Sequence, residues 1–295
     1  MPSPSRLIAI LSLGLVAVSL AAVFIRLADA PGLVVATYRM VIASAVLLPL
    51  SWQALRRASY TPRSVGYALL AGLFLAAHFA TWISSLSYTT VAASVSLVAS
   101  QPLWVALLSW LFLGSAPTFL VLFGVVLAVT GGVIIGFGDF AGGSAPLLGD
   151  SLAVIGAVCS AAYFLLGRSA QRQGLSLNAY IALAYATAAL ALLPLPLIAG
   201  QAYWGYSGLS LVWIVLLALV PQLVGHTSFN YVLRYLSPTL VATLMLLEPL
   251  GASLLALILF QELPPPSTLV GASILLGGVL LTVKGSREIE EPNKK

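Results

Sequence analysis

Apolar residues fill this chain in runs of about twenty, the length at which a helix crosses the hydrocarbon core of a bilayer. Ten such runs cover 7–25, 33–52, 65–87, 91–113, 119–137, 149–167, 177–198, 209–233, 239–260 and 267–283. Short breakers separate them, such as Asp29-Ala30-Pro31-Gly32, Gly114-Ser115-Ala116-Pro117 and Pro264-Pro265-Pro266. The runs are too long for barrel strands and do not alternate polar with apolar. Lipid offers the backbone no hydrogen-bond partner, so segments of this kind must be helices. The pattern predicts an all-α integral membrane fold of ten transmembrane helices.

Composition agrees. Only 7% of the 295 residues are charged, against about 25% in a soluble domain. Hydrophobic residues make up 60%, and the mean hydropathy is +1.06. No Asp, Glu, Lys or Arg stands between Arg63 and Asp139, or between Arg172 and Arg234. The net charge of +5 does not mark a nucleic-acid binder, because the charges sit at the ends of apolar runs and not on one basic face. The expected partners are the lipid bilayer and a small-molecule substrate, with no nucleic acid, in a monomer or homodimer.

Lysine and arginine concentrate in cytoplasmic loops of membrane proteins. With the N-terminus inside, ten crossings place Arg6, Arg56, Arg57, Arg63, Arg168, Arg172, Arg234, Lys284, Arg287, Lys294 and Lys295 on the inner side, and Arg26 alone outside. Both termini are therefore expected in the cytoplasm of a cell bounded by this multi-pass plasma (bacterial inner) membrane protein. Arg6, an apolar stretch and Ala28-Asp29-Ala30 loosely imitate a cleaved signal peptide. The stretch is too long for that reading, and the later spans need it to keep their orientation. The single cysteine, Cys159, gives neither a disulfide framework nor a metal pattern, and no metal or other cofactor is expected.

The chain also repeats. An offset of 147 residues aligns Tyr88 with Tyr235, Pro102 with Pro249, Pro117 with Pro264, Gly124 with Gly271, Gly131 with Gly278 and Gly138 with Gly285. The front halves match less securely, through Ala21-Ala22-Val23-Phe24 and Ala161-Ala162-Tyr163-Phe164, and through Leu47-Leu48-Pro49-Leu50 and Leu192-Leu193-Pro194-Leu195. Residues 1–143 form the first five-helix repeat, 144–287 the second, and 288–295 a cytoplasmic tail. Five is odd, so the second copy is inverted relative to the first. Such repeats give a chain two nearly equivalent conformations, one open to each side, with the site near the midplane. A duplicated scaffold without transport is the competing account. No G-x-x-x-x-G-K-[ST] loop points to direct ATP coupling.

Gln101-Pro102-Leu103 with Gly124 and Gly131-Gly132 resembles the repeat signature of the EamA family in the drug/metabolite transporter superfamily. So does Glu248-Pro249-Leu250 with Glu262, Gly271 and Gly277-Gly278, and Thr37-Tyr38-Arg39-Met40 is similar to the family's second span. The resemblance covers both repeats. It implies a ten-helix secondary transporter of small metabolites, not an enzyme. The general likeness favours export of amino acids, aromatic ones above others, over a passive facilitator or channel. One departure stands out: Ser115 replaces the family's Glu after the fourth span, while Glu262 is kept in the second half.

Ionisable groups inside spans are costly and mark cavities or partners. The candidates are Arg39, His78, His226 and Glu248. Glu248 falls near the middle of the ninth span, beside Pro249, and Gln101 and Pro102 hold the matching places in the fourth. The prolines free the carbonyls of Val98 and Met245. Glu248 is read as attracting a substrate ammonium or a coupling proton, with a carboxyl locking helices together as the alternative. Arg39 is read as a structural partner of Glu262 or Glu248, or as the receiver of a substrate carboxylate. His78, Thr81, Trp82 and Ser85 share one face of the third span, and Gln222, His226 and Asn230 recur every four residues on the eighth. With Ser94, Gln101, Trp104 and Tyr163 they complete the expected substrate lining, Tyr180 and Tyr185 adding aromatic surface. Interhelical hydrogen bonding competes with a binding role at each position. Trp52, Tyr60, Trp204 and Trp213 are expected at the membrane interface. Gly124-x₃-Ala128-x₃-Gly132 and Ser273-x₃-Gly277 make flat faces on spans five and ten, for mutual packing or for a dimer surface.

Overall fold

The computed structural model describes residues 2–57, 60–85, 87–89, 94, 97–136, 144–248, 250, 251, 254, 255, 258 and 266–290. Among them are fourteen α-helices: α1 (Pro4–Ser19), α2 (Ala21–Ala28), α3 (Gly32–Leu50), α4 (Trp52–Arg57), α5 (Pro62–Ser85), α6 (Gln101–Leu113), α7 (Phe119–Gly136), α8 (Pro146–Arg172), α9 (Leu177–Leu192), α10 (Leu195–Ile198), α11 (Gly208–Leu217), α12 (Thr227–Val232), α13 (Pro238–Met245) and α14 (Pro266–Glu290). No strand occurs among the described residues. Seven continuous stretches are long and apolar enough to cross a membrane, and two shorter helices, Gln101–Leu113 and Phe119–Ile134, are apolar throughout.

Several starts follow one rule. Ser3, Thr61 and Ser237 each precede a proline, whose missing N–H costs nothing in the first helical turn. The Ser3 and Ser237 hydroxyls accept from the amides of Arg6 and Leu240, while Thr61 and Ser64 cap each other's amides.

Among the described residues, the first, fourth, eighth and ninth spans depart from a regular helix. The first is interrupted at Leu20, between α1 and α2. The fourth turns at Ala99 and Ser100 before α6 begins, so Pro102 occupies a first helical turn and not a kinked interior. The ninth turns at Leu246 and Leu247, the positions matching Ala99 and Ser100 under the 147-residue offset. The amides of Leu103, Leu246 and Leu247 bond three residues back, to Ser100, Thr243 and Leu244. In the eighth span, residues Ala218–His226 wind as a π-helix around Pro221. The predicted four-residue stripe of Gln222, His226 and Asn230 is therefore stretched over its first half. A proline that cannot donate to the ladder is the local cause.

Small residues set the packing. α7 and α14 lie together over much of their length. A Cβ on Gly131 would sit 2.4 Å from the Leu275 nitrogen, and one on Gly278 2.3 Å from the Ala128 nitrogen. Spans five and ten therefore pack against each other, through Gly124, Ala128, Gly131, Gly271 and Gly278. Of the predicted flat faces, Gly132, Ser273 and Gly277 lie off this close seam: nothing stands within 4 Å of a Cβ on Gly132, and Ser273 is exposed. α5 meets α9 at Gly72, whose Cβ would stand 2.4 Å from the Ala184 carbonyl oxygen. The alanines of α9 at 179, 182, 184 and 188 are buried in the same core. Trp52, Tyr60 and Trp204 are exposed, as interface residues should be. Trp213 departs from that expectation: it stacks on Phe24 at 5.7 Å against a small core of α2, α3 and α11.

Candidate functional site

Polar side chains converge where α3, α5, α8 and α9 surround the π-helical turn. Arg39, 3% exposed, projects from α3 and donates through Nε to Gln222 Oε1 at 2.7 Å. Its guanidinium lies over the Phe79 ring, Cζ 4.6 Å from the centroid. An aromatic face stabilises a desolvated cation there. Phe79 in turn meets the His226 ring edge-on at 6.1 Å.

His78 is buried beside this group. Its Nδ1 stands 2.9 Å from the Gly156 carbonyl oxygen, which only accepts, so Nδ1 carries the proton. Gly156 permits the approach of α8 to α5: its Cβ would already lie 3.1 Å from that of Trp82. The His78 and Trp82 rings stack at 5.7 Å, 12° from parallel.

One layer away, Asn230 donates through Nδ2 to Tyr163 Oη at 2.6 Å and Tyr185 Oη at 3.3 Å, and its carbonyl accepts from Gln171 Nε2 at 2.9 Å. Asn230 is 1% exposed and both tyrosines are fully buried. This cluster ties α8 and α9 to the eighth span. Asn230→Leu removes the amide donor to two buried phenolic oxygens and is expected to cost about 2 kcal/mol. A fall in the unfolding temperature of detergent-solubilised protein measures it.

Several buried polar atoms of the candidate residues have no partner among the described groups: Arg39 Nη2, Gln222 Nε2, Trp82 Nε1, Gln101 Nε2, His226 Nδ1 and Asn230 Oδ1. Buried polar groups are nearly always satisfied, so a concentration of them requires a reason. Four of the six are N–H donors. An acceptor-rich ligand, such as a carboxylate, satisfies donors of this kind.

The sequence-predicted residues fall into groups. Arg39, His78, Trp82, His226 and the Tyr163–Asn230 pair gather as described. Ser94 and Ser85 bond to each other at 2.6 Å, and Trp104 Nε1 donates to Ser100 Oγ at 3.1 Å across the break before α6. Glu248 follows the break in the ninth span. Its backbone carbonyl accepts from Ser19 Oγ at 3.3 Å, where the first span is also interrupted. Glu248 and Arg39 interact through the electrostatic field, with no ion pair between them within 4.0 Å. Glu262, the other expected partner of Arg39, lies outside the described residues. Phe79 and Gln171 were not anticipated: a Phe in an apolar run and a Gln near a span end carry no distinctive spacing.

A cavity of about 1230 Å³ lies between α1 and α13. It reaches from Pro2 and Ser286, past Arg168 and Tyr235, to Leu15, Phe229 and Leu247. Leu7, Leu11 and Leu15 form one wall and Leu240, Leu244 and Leu247 the other. Asn230 and Glu248 each follow a lining residue in the sequence, Phe229 and Leu247.

The model of the EamA-like transporter family matches residues 5–137 and again 147–284. The chain belongs to that family. It is a multi-pass membrane transporter and not an enzyme. A probable terminal-alkyne amino-acid exporter from Streptantibioticus cattleyicolor is 29% identical over 206 residues, 68% of this chain and 67% of that protein. A protein of known crystal structure superposes with a TM-score of 0.80, over 98% of this chain and 100% of the other, at 20% identity. That likeness concerns the fold alone.

Proposed function

We propose that this transporter exports amino acids, aromatic ones preferentially, by alternating access between two inverted five-helix repeats, 1–143 and 144–287. The observation that carries the reading is the reciprocal pairing of helices and glycines between the two halves. Exchanging the halves turns the fourth and sixth spans into the ninth and first. The helix pairings respect this exchange: α5 packs on α8 as α1 packs on the π-helical eighth span, and α3 on α9 and α7 on α14 map onto themselves. Gly124 faces Gly278 and Gly131 faces Gly271, which is the reciprocity a pseudo-two-fold axis produces. α6 lies along α8, a cavity lies between α1 and α13, and Ser19 of the first span meets Glu248 and Gly251 of the ninth. Exchanging the shapes of the two halves would close that cavity and open a path on the other side.

The open end is lined by Pro2, Arg168, Tyr235 and Ser286. The distribution of Lys and Arg along the sequence supports a cytoplasmic position for that end, and on this reading the conformation is inward-facing and suited to loading a substrate for export. The amino-acid class rests on the relative's function and on the unpaired donors around Arg39. Phe79, Trp82 and Tyr163 offer rings near those donors for an aromatic side chain.

Purified protein in liposomes preloaded with unlabelled amino acid should accumulate the labelled form saturably and faster than liposomes loaded with buffer. No flux across a broad amino-acid panel would overturn the reading. Unsaturable flux, insensitive to the internal load, would instead indicate a channel.

A further inference from the structure

We infer that Arg39 and Glu248 are the two poles of one zwitterion site, Arg39 taking the carboxylate and Glu248 the ammonium of the same molecule. This rests on the reading of the protein as an amino-acid transporter, and it specifies how the substrate is told apart from amines and organic acids.

Arg39 and Glu248 are opposite charges set well inside spans: Ser19, which donates to the Glu248 carbonyl, follows Val18, which packs on Gly225 of the π-helical turn that holds Arg39 through Gln222. Charges in this setting ordinarily pair, because an uncompensated one is expensive. Here they do not. Arg39 is held by Gln222 through Nε and by the Phe79 face, which leaves Nη2 without a protein acceptor. Gln222 Nε2 likewise has no acceptor at hydrogen-bond geometry among the described residues, although the Tyr185 hydroxyl lies close to this side chain. Two unpaired donors on one hydrogen-bonded pair suit the two oxygens of a carboxylate, and the planar guanidinium defines the direction of approach.

At the other pole, the Glu248 backbone carbonyl accepts from Ser19 Oγ, and no ion pair within 4.0 Å links the Glu248 side chain to Arg39. Glu248 stands beside the break at Leu246 and Leu247, next in sequence to Leu247, which lines the cavity. The carbonyl of Met245 lacks its helical donor, because the residue four positions on is a proline. A carboxylate and a freed carbonyl together suit an ammonium, which has three hydrogens to place. A molecule with both charges completes each pole. One with a single charge leaves the opposite pole buried and unsatisfied, and sites built for a polar group reject analogues that lack it.

The test is competition in the proteoliposome assay, using the best-transported amino acid of the panel as tracer. Its decarboxylated amine and its deaminated acid serve as competitors: for phenylalanine, phenethylamine and 3-phenylpropionate. Both single-charge analogues should need at least about a tenfold higher concentration than the amino acid for half-inhibition. In Glu248→Gln the amino acid should weaken by about tenfold or more, while the deaminated acid becomes as good a competitor as the amino acid. Should that variant fail to fold, the competition series on the unaltered protein decides alone. An amine or acid that competes within about twofold of the amino acid overturns the zwitterion site while leaving amino-acid transport intact. Absence of saturable flux for every amino acid overturns the underlying reading, and the site with it.

Discussion

Gly131→Leu is expected to prevent the protein from accumulating in folded form. The Cβ alone would lie 2.4 Å from the Leu275 nitrogen and 2.6 Å from the Gly271 carbonyl oxygen, both backbone atoms that no rotamer change can move. Adding an isobutyl group must push α14 away from α7 along a seam that owes its closeness to glycine on both sides. The loss should reach roughly 4 kcal/mol, at the upper end for single substitutions. Gly132→Ala, one residue along, is the control, since its Cβ would meet nothing within 4 Å. The yield of monodisperse protein after detergent extraction, with its unfolding temperature, separates the two. Equal yields would show that the α7–α14 seam is looser than described.

Arg39→Ala should reduce transport by about a hundredfold while leaving the protein folded. The substitution removes the donor to Gln222, uncovers the Phe79 face and deletes the only cation described in the buried cluster. Arg39→Lys should not restore the activity, because a single ammonium cannot bond Gln222 and offer a planar fork to a carboxylate together. Arg56→Ala is the matching control, as that arginine is exposed and lies over the Trp52 ring at 5.4 Å. Initial rates of counterflow, scaled to reconstituted protein, give the comparison. An Arg39→Ala variant with unaltered rates would remove this residue from the site.

What the sequence makes legible follows from what lipid demands. Apolar runs and their breakers place α3, α5, α8 and α9 within a few residues, because a spanning helix has little freedom in length or type. The glycines of α7 and α14 are legible for a similar reason: they recur at helical spacing in both halves and leave room only for a backbone. Mutual packing, and not a choice between it and a dimer face, becomes evident once the contact of Gly131 with Gly271 is seen. The breaks are harder to read. Pro102 reads as a kink inside a helix, yet it opens α6, because nothing in the sequence fixes the turn at Ala99 and Ser100. The π-helical turn around Pro221 escapes in the same way: a proline signals disturbance without saying which geometry resolves it.

The site shows the same division. Arg39, His78, His226 and Glu248 stand out because ionisable groups are rare in spans. Their partners do not. Phe79 is one of 11 phenylalanines and nothing local marks it as the ring beneath Arg39. Gln222 is visible only through its spacing from His226 and Asn230. Non-local pairing, here across 183 residues between Arg39 and Gln222, requires the tertiary fold.

Alternating access through the α1–α13 seam is tested most directly by locking it. Leu11→Cys and Leu244→Cys, introduced together with Cys159→Ser, place one thiol on each wall of the cavity. Joining them with a reducible bifunctional reagent should abolish counterflow, and reduction should restore it. Cross-linked protein that carries amino acid at the rate of the reduced form would contradict the account.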